Sequence, residues 1–567
     1  MICKGIGECR AITLTTGQDN IAGTAGNDTI LGVFDGGATS NQNTLTAADV
    51  INGGAGKDSL MATLDVGSGG VLPAAQYSNI ENFFIRNVSG VNPGNTFNFA
   101  SYSGEEQVWN DRSSNAVNVT GLAAGTTVGV KGNGAVVAGA TNATYDNAAT
   151  AANIVLDGGI ATGSAAVTVN GGAGMTSATL TSTGAANSIG GLTLAAATTG
   201  LTVDAQSNVT TGNIAGAGLT TVTVKGAGSA NIGNLTASPA VTTVNAADNA
   251  GGVTATLNGQ TNFKFTGGAG NDVVTTGAVL VATASVNAGA GTADRLVVAN
   301  TNHIRVDGTS KALGDLYKGF EQVQVQNGVN LNVANLSTNN TIDTVRINDT
   351  SGTTSVTGIS AAAAQNVTIL NAQGAITIGL AGATTTGQID TVKAAVTTTT
   401  APVAGPQNVS LLGVNLAGVE NLELTGSNGP IAANVGRIRG AIGYVEYAYA
   451  KRNNLTYLQV QNKAGKFVSP TEEAFAAAAA GVDWFSLPGM GVSMVNPTGD
   501  ASWPISTASF ILMYKQPADK AQSAEVLKFF DWSFKNGKKM ASELDYVALP
   551  DSLTNDIRSK VWSQIAK

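Results

Sequence analysis

Glycine-rich nonapeptides that end in an aspartate and an apolar residue recur in the first half of the chain. Residues 53–61 and 267–275 match the pattern G-G-x-G-x-D-x-U-x at every specified position, where U is a large apolar residue. Residues 23–31 differ only at the second glycine. Glycine permits a tight turn with inward-facing carbonyls, and the apolar residue begins a buried strand. The pattern therefore predicts short strands joined at glycine corners.

The aspartates of these nonapeptides are candidate calcium ligands. Carboxylate and carbonyl oxygens are the hard donors that Ca²⁺ prefers. The same frame extends nine residues backwards from the copies at 23–31 and 53–61, which adds Asp19 and Asp49 as weaker candidates. The predicted ligands are Asp19, Asp28, Asp49, Asp58 and Asp272. A degenerate copy at 288–296 carries Asp294 one residue late, and Asp294 is not predicted to be a ligand.

Short runs with alternating Val, Leu and Thr fill the rest of the front section, separated by Gly, Asn, Ala and Thr. The runs that predict strands include 166–170, 178–182, 191–195, 201–204, 221–225 and 241–245. Their spacing of roughly 10 to 20 residues predicts a mainly β fold, a β-solenoid or, failing that, sandwich domains. Large side chains are scarce, so each layer is expected to be thin.

A polar strand type also recurs, in the segments Ile80-Glu81-Asn82, Phe320-Glu321-Gln322 and Val419-Glu420-Asn421. Their separations are unequal, so they do not form a strict repeat. We interpret Glu and Asn here as a polar strand edge rather than a binding site. The acidic cluster Glu105-Glu106, with Trp109 and Asp111, is likewise interpreted as a solvated edge rather than a catalytic acid pair.

Composition divides the chain near residue 427. Residues 1–427 hold 14 Lys and Arg against 25 Asp and Glu, whereas residues 428–567 hold 15 against 12. Four of the five Trp and six of the ten Tyr lie in the later segment. We therefore predict four regions: 1–11 as a leader outside the repeats, 12–300 and 301–427 as β-repeat regions, and 428–567 as a smaller α/β segment.

Several function classes are disfavoured by the residues present. The net charge is −8 and no long basic run occurs, so no nucleic-acid partner is predicted. His303 is the single histidine, and no nucleophile and base pair is visible, so no enzyme is predicted. Cys3 and Cys9 could close a small disulfide, although an irregular terminus is the favoured interpretation. No apolar run long enough for a membrane helix and no secretory signal core is seen.

The run from Ile12 to Ile30, with residues 49–60 and 79–82, resembles the RTX-type calcium-binding surface-layer proteins of Gram-negative bacteria. The resemblance covers most of residues 12–427. It implies type I secretion, Ca²⁺-triggered folding outside the cell, and self-assembly into a homo-oligomer or two-dimensional lattice on the bacterial surface, with outer-membrane lipopolysaccharide as a further partner. The main functional hypothesis is therefore a structural cell-surface protein.

Helix signals replace strand signals in the last segment. Ser469-Pro470-Thr471-Glu472 is typical of a capping box that opens an Ala-rich helix to Ala480. A second helix is predicted around Val526–Phe534, with its aromatic residues packed on a core.

Residues 440–450, 503–505, 529–532 and 544–550 resemble the C-terminal portion of the periplasmic phosphate-binding protein of ABC phosphate importers, a type II periplasmic binding protein. The alternative hypothesis is therefore phosphate binding in the periplasm. The family's phosphate ligands come mainly from earlier segments without counterpart here, so phosphate is expected to bind only if the missing part is supplied. Such a part-fold is expected to expose apolar surface. A natural fusion, an engineered joining and a composite sequence all remain open.

Overall fold

The computed structural model describes residues 10–35, 42–65, 73–89, 97–305, 313–349, 353–372, 375–381, 391–396, 414–417, 421–426, 435, 442–487 and 490–565. Two compact units are present, one comprising residues 1–394 with 412–421 and the other residues 395–411 with 422–567. Cys3, Cys9 and the predicted boundary at 427/428 lie outside the described residues.

The first unit is a parallel β-solenoid, as the sequence predicts. Successive turns of the chain add one strand each to a sheet of fourteen strands, which we call the long sheet. Its strands are Ala11–Thr13, Thr29–Phe34, Ser59–Leu64, Asn82–Asn87, Gln107–Asp111, Thr127–Lys131, Ala151–Asp157, Ser177–Thr183, Gly200–Ala205, Thr221–Gly226, Thr243–Asn249, Lys264–Thr266, Ser285–Asn287 and Tyr317–Lys318.

Further parallel sheets form the other faces of the coil. Three strands, Asn20–Ala22, Val50–Asn52 and Gln76–Ser78, form the first. Six form the next, namely Phe97–Asn98, Val117–Leu122, Thr141–Tyr145, Val167–Asn170, Gly191–Thr193 and Asn213–Ala215. Four lie near the end, namely Asn330–Asn332, Thr353–Ile359, Ala375–Leu380 and Val414–Ala417.

A second long sheet begins midway along the solenoid. In this unit it contains Asn187–Ser188, Val209–Thr210, Ala230–Asn234, Val253–Thr256, Val273–Thr275, Arg295–Val298, Gln322–Gln326, Thr344–Asp349, Val367–Ala372 and Thr391–Val396. It continues across residue 300, so the regions 12–300 and 301–427 share one ladder. Single 3₁₀ turns connect some strands, at Leu235–Ala237, Thr301–Ile304, Leu313–Leu316, Val333–Leu336 and Ala363–Gln365.

The core of the solenoid is a stack of like side chains. In the long sheet Ile154 pairs in register with Leu180, Leu180 with Val203, and Val203 with Val224. All four side chains are buried. Strands such as Ala151–Asp157 and Ser177–Thr183 alternate buried and partly exposed residues, because successive side chains of a strand point to opposite faces. Apolar residues therefore meet their counterparts one coil above and below, and a thin layer suffices to bury them.

The second unit is smaller and contains helices. They are Tyr447–Arg452 (α1), Glu472–Ala480 (α2), Lys520–Asn536 (α3), Lys538–Glu543 (α4) and Asp551–Asp556 (α5), followed by irregular helical turns at Ile557–Val561 and Trp562–Gln564. Its described strands are Val460–Gln461 and Phe467–Val468, which pair antiparallel. The strand Asn421–Gly426 is the last of the second long sheet. No helix in the described residues is both long and apolar enough to span a membrane.

Two details of the predicted helices are corrected. The N-cap of α2 is Thr471, whose side chain accepts the N–H of Ala474, and not Ser469. Ser469 instead accepts a hydrogen bond from Gln459. In α3 the buried residues are Ser523 and Leu527 rather than the aromatic stripe. The predicted end of α2 at Ala480 is confirmed, with Gly481 as its C-cap.

Candidate functional site

Acidic residues stand one above another at a corner of the solenoid, each directly before a strand of the long sheet. We call Asp28, Asp58, Glu81 and Glu106 the first acid column. The backbone N–H of Asp28 donates to Asp58 Oδ1 at 2.6 Å, and that of Asp58 donates to Glu81 Oε2 at 2.7 Å. The N–H of Glu106 donates to the carbonyl of Glu81 at 2.7 Å. The carboxylates thus connect consecutive coils.

The same arrangement recurs beside the second long sheet. The second acid column consists of Asp272, Asp294, Glu321 and Asp343. The N–H of Asp272 donates to Asp294 Oδ1 at 2.6 Å, and that of Asp294 donates to Glu321 Oε2 at 2.9 Å. The N–H of Asp343 donates to the carbonyl of Glu321 at 2.8 Å. Each of these acids also directly precedes a strand.

Asp19 and Asp49 form a shorter pair at another corner. The N–H of Asp19 donates to Asp49 Oδ1 at 2.9 Å. Asp19 accepts the N–H of Thr15 at 2.8 Å, and Asp49 Oδ2 accepts the N–H of Thr46 at 2.6 Å. The structure therefore brings Asp19 to Asp49 and Asp28 to Asp58, whereas Asp272 lies in a separate column.

The corner aspartates differ in how fully their carboxylates are hydrogen-bonded. Asp28 accepts backbone N–H groups on both oxygens, from Arg10 and Thr24, and Asp272 does the same. In contrast, Asp58 Oδ2 and Asp294 Oδ2 are buried without a hydrogen-bond partner. The chain's own amides thus satisfy some corners and leave others open.

Burial also perturbs the ionisation of these carboxyls. It raises the pKa of Asp272 to about 6, against the lowering effect of hydrogen bonds from Val253 and Gly268. It raises the pKa of Asp294 to about 6 as well, and the charges of Asp272 and Glu321 add to the increase. Burial raises the pKa of Asp58, with the charges of Glu81 and Asp28 contributing. A nearby cation would relieve this cost, since it favours the ionised form.

No three His, Cys, Asp or Glu side chains converge as a metal-binding group in the described part of the chain. A cation at these corners would therefore need backbone carbonyls in addition to one or two carboxylates. Calcium accepts such mixed oxygen donors. The donor set is thus chemically suited to calcium but does not form a dense acidic cage.

Sequence reasoning missed Asp294, Glu81 and Glu321 as members of the columns. Glu81 and Glu321 are not merely a polar strand edge, because each accepts the N–H of an aspartate from the preceding coil. The available signal was an acid two residues before a buried apolar residue. Strand pairing places Leu60 beside Phe83 and Leu296 beside Val323. The acids two residues before these positions are therefore equivalent in adjacent coils.

The solvated-edge interpretation of the cluster around Glu105 holds for Glu106, which is exposed, but is wrong for the other three residues. Glu105, Trp109 and Asp111 are buried. Glu105 Oε1 accepts the N–H of Ala123 at 3.0 Å, so its carboxylate caps the next coil. Asp111 forms an ion pair with Arg112 at 2.9 Å.

His303 is also buried, with its Nδ1 2.7 Å from Thr276 Oγ1, and burial lowers its pKa.

The second unit has a small core and an exposed apolar surface, as expected for part of a fold. Its core contains Trp484, whose indole N–H donates to the carbonyl of Ala479 at 2.9 Å. In contrast, the run 510–514 has no strand partner among the described residues. Within it Leu512 is 94% exposed and Tyr514 is 83% exposed.

The aromatic stripe of α3 is also left partly exposed. Phe529 is 59% exposed, and neither Phe530 nor Phe534 is fully buried. The prediction of core packing is therefore wrong for this stripe, because the described residues offer too little surface to cover it. Surface ion pairs also occur in this unit, among them Arg558 with Asp531 at 2.7 Å.

No family model matches the sequence. Curated relatives match a segment of 132 to 141 residues. This segment is homologous to phosphate-binding proteins. The phosphate-binding protein PstS of Pasteurella multocida is 50% identical over 138 residues, covering 24% of this chain and 40% of the relative. The PstS of Haemophilus influenzae is 46% identical over 141 residues, covering 24% and 42% respectively. The PstS of Xylella fastidiosa is 48% identical over 132 residues, covering 23% and 36%.

The matched length is that of residues 428–567, which carry the resemblance in their sequence. The chain thus spans about two fifths of the length of these relatives.

Proposed function

We propose that the second unit takes part in phosphate binding, as one section of a phosphate-binding protein whose remaining section is supplied by another polypeptide. The identity of 46 to 50% to phosphate-binding proteins carries this proposal. On this proposal the protein works in the periplasm with an ABC phosphate importer.

The exposed run 510–514 supports the requirement for a partner section. Consecutive large apolar residues with high β propensity are normally buried as a central strand. Here Ile511 is 56% exposed and Leu512 is 94% exposed. A polypeptide carrying the missing three fifths of the fold would cover this run and contribute the phosphate ligands.

Reconstitution tests the proposal. The full chain is mixed with the complementary section of the Pasteurella multocida relative, and phosphate binding is measured by isothermal titration calorimetry. We expect heat with the mixture and none with either component. Leu512→Asp should abolish the effect, whereas Ser509→Asp, which adds the same charge at an exposed polar position of the same segment, should preserve it. No phosphate heat from the mixture would contradict the proposal.

A second function is favoured by the acid columns. We propose that the solenoid is a secreted structural section of a cell-surface layer, folded and assembled with Ca²⁺ through Asp19, Asp28, Asp49, Asp58 and Asp272. Buried, closely spaced carboxylates destabilise a metal-free fold, and a cation bound only by the folded state stabilises it. Assembly into a lattice and contact with lipopolysaccharide belong to the same proposal.

Calcium titration tests this second function. Binding of Ca²⁺ to the metal-depleted full chain should raise its melting temperature, and EDTA should reverse the increase. An unchanged melting temperature and an unchanged size distribution in light scattering would contradict the structural role.

A further inference from the structure

Two arginines lie on one face of the second long sheet, with a single strand between them. Arg295 and Arg346 belong to strands that both pair with Gln322–Gln326. Gln322 is the register partner of Arg295, and Gln324 is that of Arg346. The four side chains share a face, because alternate residues of a strand point the same way and register partners point together. We call Arg295, Gln322, Gln324 and Arg346 the arginine patch.

The guanidinium groups of the arginine patch have no counter-charge. The Nε atoms of Arg295 and Arg346 are buried and have no hydrogen-bond partner. Neither residue forms an ion pair within the part of the chain that the structure describes. A buried charged donor is costly unless a partner satisfies it. Two such donors on one patch therefore indicate a shared anionic ligand.

Other basic side chains of the solenoid pair with an acid beside them in the adjacent strand. Lys225 lies 3.3 Å from Asp204, and Lys131 lies 4.0 Å from Asp157. In the three strands of the arginine patch, the positions on the arginine face hold Arg, Val, Gln, Thr and Asn, but no acid. These strands therefore supply no anion to the arginines.

The acids that directly precede these strands do not compensate the arginines either. Burial raises the pKa of Asp294, the charges of Asp272 and Glu321 raise it further, and no arginine charge offsets them. Burial lowers the pKa of Arg295, and the charge of Arg346 lowers it further. The two arginines therefore repel each other, and a bound anion would relieve that repulsion.

The spacing of the arginines fits an anion with two charged groups. One strand and two residues separate Arg295 from Arg346, which places their backbones roughly 12 Å apart. Guanidinium presents a planar fork of donors that matches the oxygens of a phosphoryl group. Two linked phosphoryl groups can meet both forks, and the side-chain amides of Gln322 and Gln324 are further donors on the same face.

We propose that the arginine patch binds a small molecule that carries two linked phosphoryl groups, one held by each arginine. The site lies in the solenoid and goes beyond the proposed phosphate binding of the second unit, because it needs no complementary section of another polypeptide. It is also separate from the proposed calcium role, since its ligand is an anion.

Isothermal titration of sodium pyrophosphate into the full chain as purified, without added metal ions or chelators, tests the site. We expect one pyrophosphate per chain, and no heat with orthophosphate at the same concentration. Arg295→Gln and Arg346→Gln should each weaken binding by about tenfold or more, because each removes one charged fork. Arg305→Gln is the matched control, since it removes the same charge at an exposed position outside the patch; its titration should equal that of the parent.

Gln324→Glu tests the same site by adding charge instead of removing it. The new carboxylate lies beside Arg346 in register and should act as an internal anion. We expect it to raise the melting temperature and to abolish pyrophosphate binding. A lower melting temperature with unchanged binding would contradict the unpaired state of the arginines.

The outcomes separate this inference from the proposed phosphate binding of the second unit. No pyrophosphate heat in the folded parent chain, or heat that is unchanged in both arginine variants, overturns the site and leaves the second unit's function standing. Equal loss in Arg305→Gln indicates a general charge effect and also overturns it. Orthophosphate binding as tight as that of pyrophosphate overturns the requirement for two groups. If circular dichroism shows an arginine variant to be unfolded, the Gln324→Glu titration decides.

Discussion

Acidification in the presence of EDTA should stabilise the solenoid rather than destabilise it between pH 7 and pH 4.5. Burial raises the folded-state pKa values of Asp272 and Asp294 to about 6, from the ordinary aspartate value of 3.8. The native state therefore binds these protons more tightly than the unfolded state does. Their contribution to stability is fully present below pH 3.8 and is lost as the pH rises through about 6.

The size of the effect follows from the shift. About two pKa units correspond to on the order of 3 kcal/mol per carboxyl at full protonation, and about 2 kcal/mol of this is gained by pH 4.5. The two carboxyls interact, since the N–H of Asp272 donates to Asp294. Their joint contribution is therefore smaller than twice the single value.

Urea unfolding of the full chain, followed by circular dichroism at several pH values in EDTA, measures this dependence. Asp294→Asn removes one of the titrating groups while keeping an oxygen that accepts the Asp272 N–H. We expect its stability to change about half as much with pH as that of the parent. Asp248→Asn, at an exposed position of the same solenoid, should leave the pH dependence unchanged. Parallel pH curves for the parent and Asp294→Asn would refute the reasoning, because contributions from all other groups cancel in that difference.

Three core perturbations test the packing of the coils in thermal unfolding. Gly53→Ala should lower the free energy of unfolding by about 1 to 3 kcal/mol, since the added Cβ would meet the backbone of the next coil. Gly200→Ala is the control and should be neutral, because nothing lies within 4 Å of its added Cβ. Equal effects of the two substitutions would contradict the close packing at Gly53. Asn187→Ala removes five hydrogen bonds and should cost on the order of 3 kcal/mol, and a loss below about 0.5 kcal/mol would contradict their role. Leu180→Ala should cost about 2 to 5 kcal/mol, and Met61→Ala, at a position 36% exposed, much less; a reversed order would contradict the stacked core.

The solenoid could be predicted from the sequence because its signals are local. Alternating Val and Thr residues predict a strand at 221–225, and the structure has Thr221–Gly226. The nonapeptide glycines predict the corners before strands such as Ser59–Leu64. The calcium, surface-layer and secretion hypotheses stay predictions, since they concern partners that the fold alone does not contain.

The acid columns could not be predicted in full because vertical neighbours depend on coil length. Asp28 and Asp58 are 30 residues apart, whereas Asp272 and Asp294 are 22 apart. Only the register of the strands reveals that Glu81 takes the position above Asp58. Likewise, the periodicity of the aromatic residues in α3 predicts a helix correctly, but whether Phe529 is buried depends on chain segments elsewhere in the fold.

The strand pairs of the solenoid all run in the same direction, and this gives the molecule a polarity. Among the described residues its first strand, Ala11–Thr13, pairs with Thr29–Leu31 alone, so within that part of the chain one edge of the strand is open. Two copies that continued the ladder through this edge would meet head to tail. Such a contact is heterologous, does not close by twofold symmetry, and would extend into a filament unless other contacts stopped it.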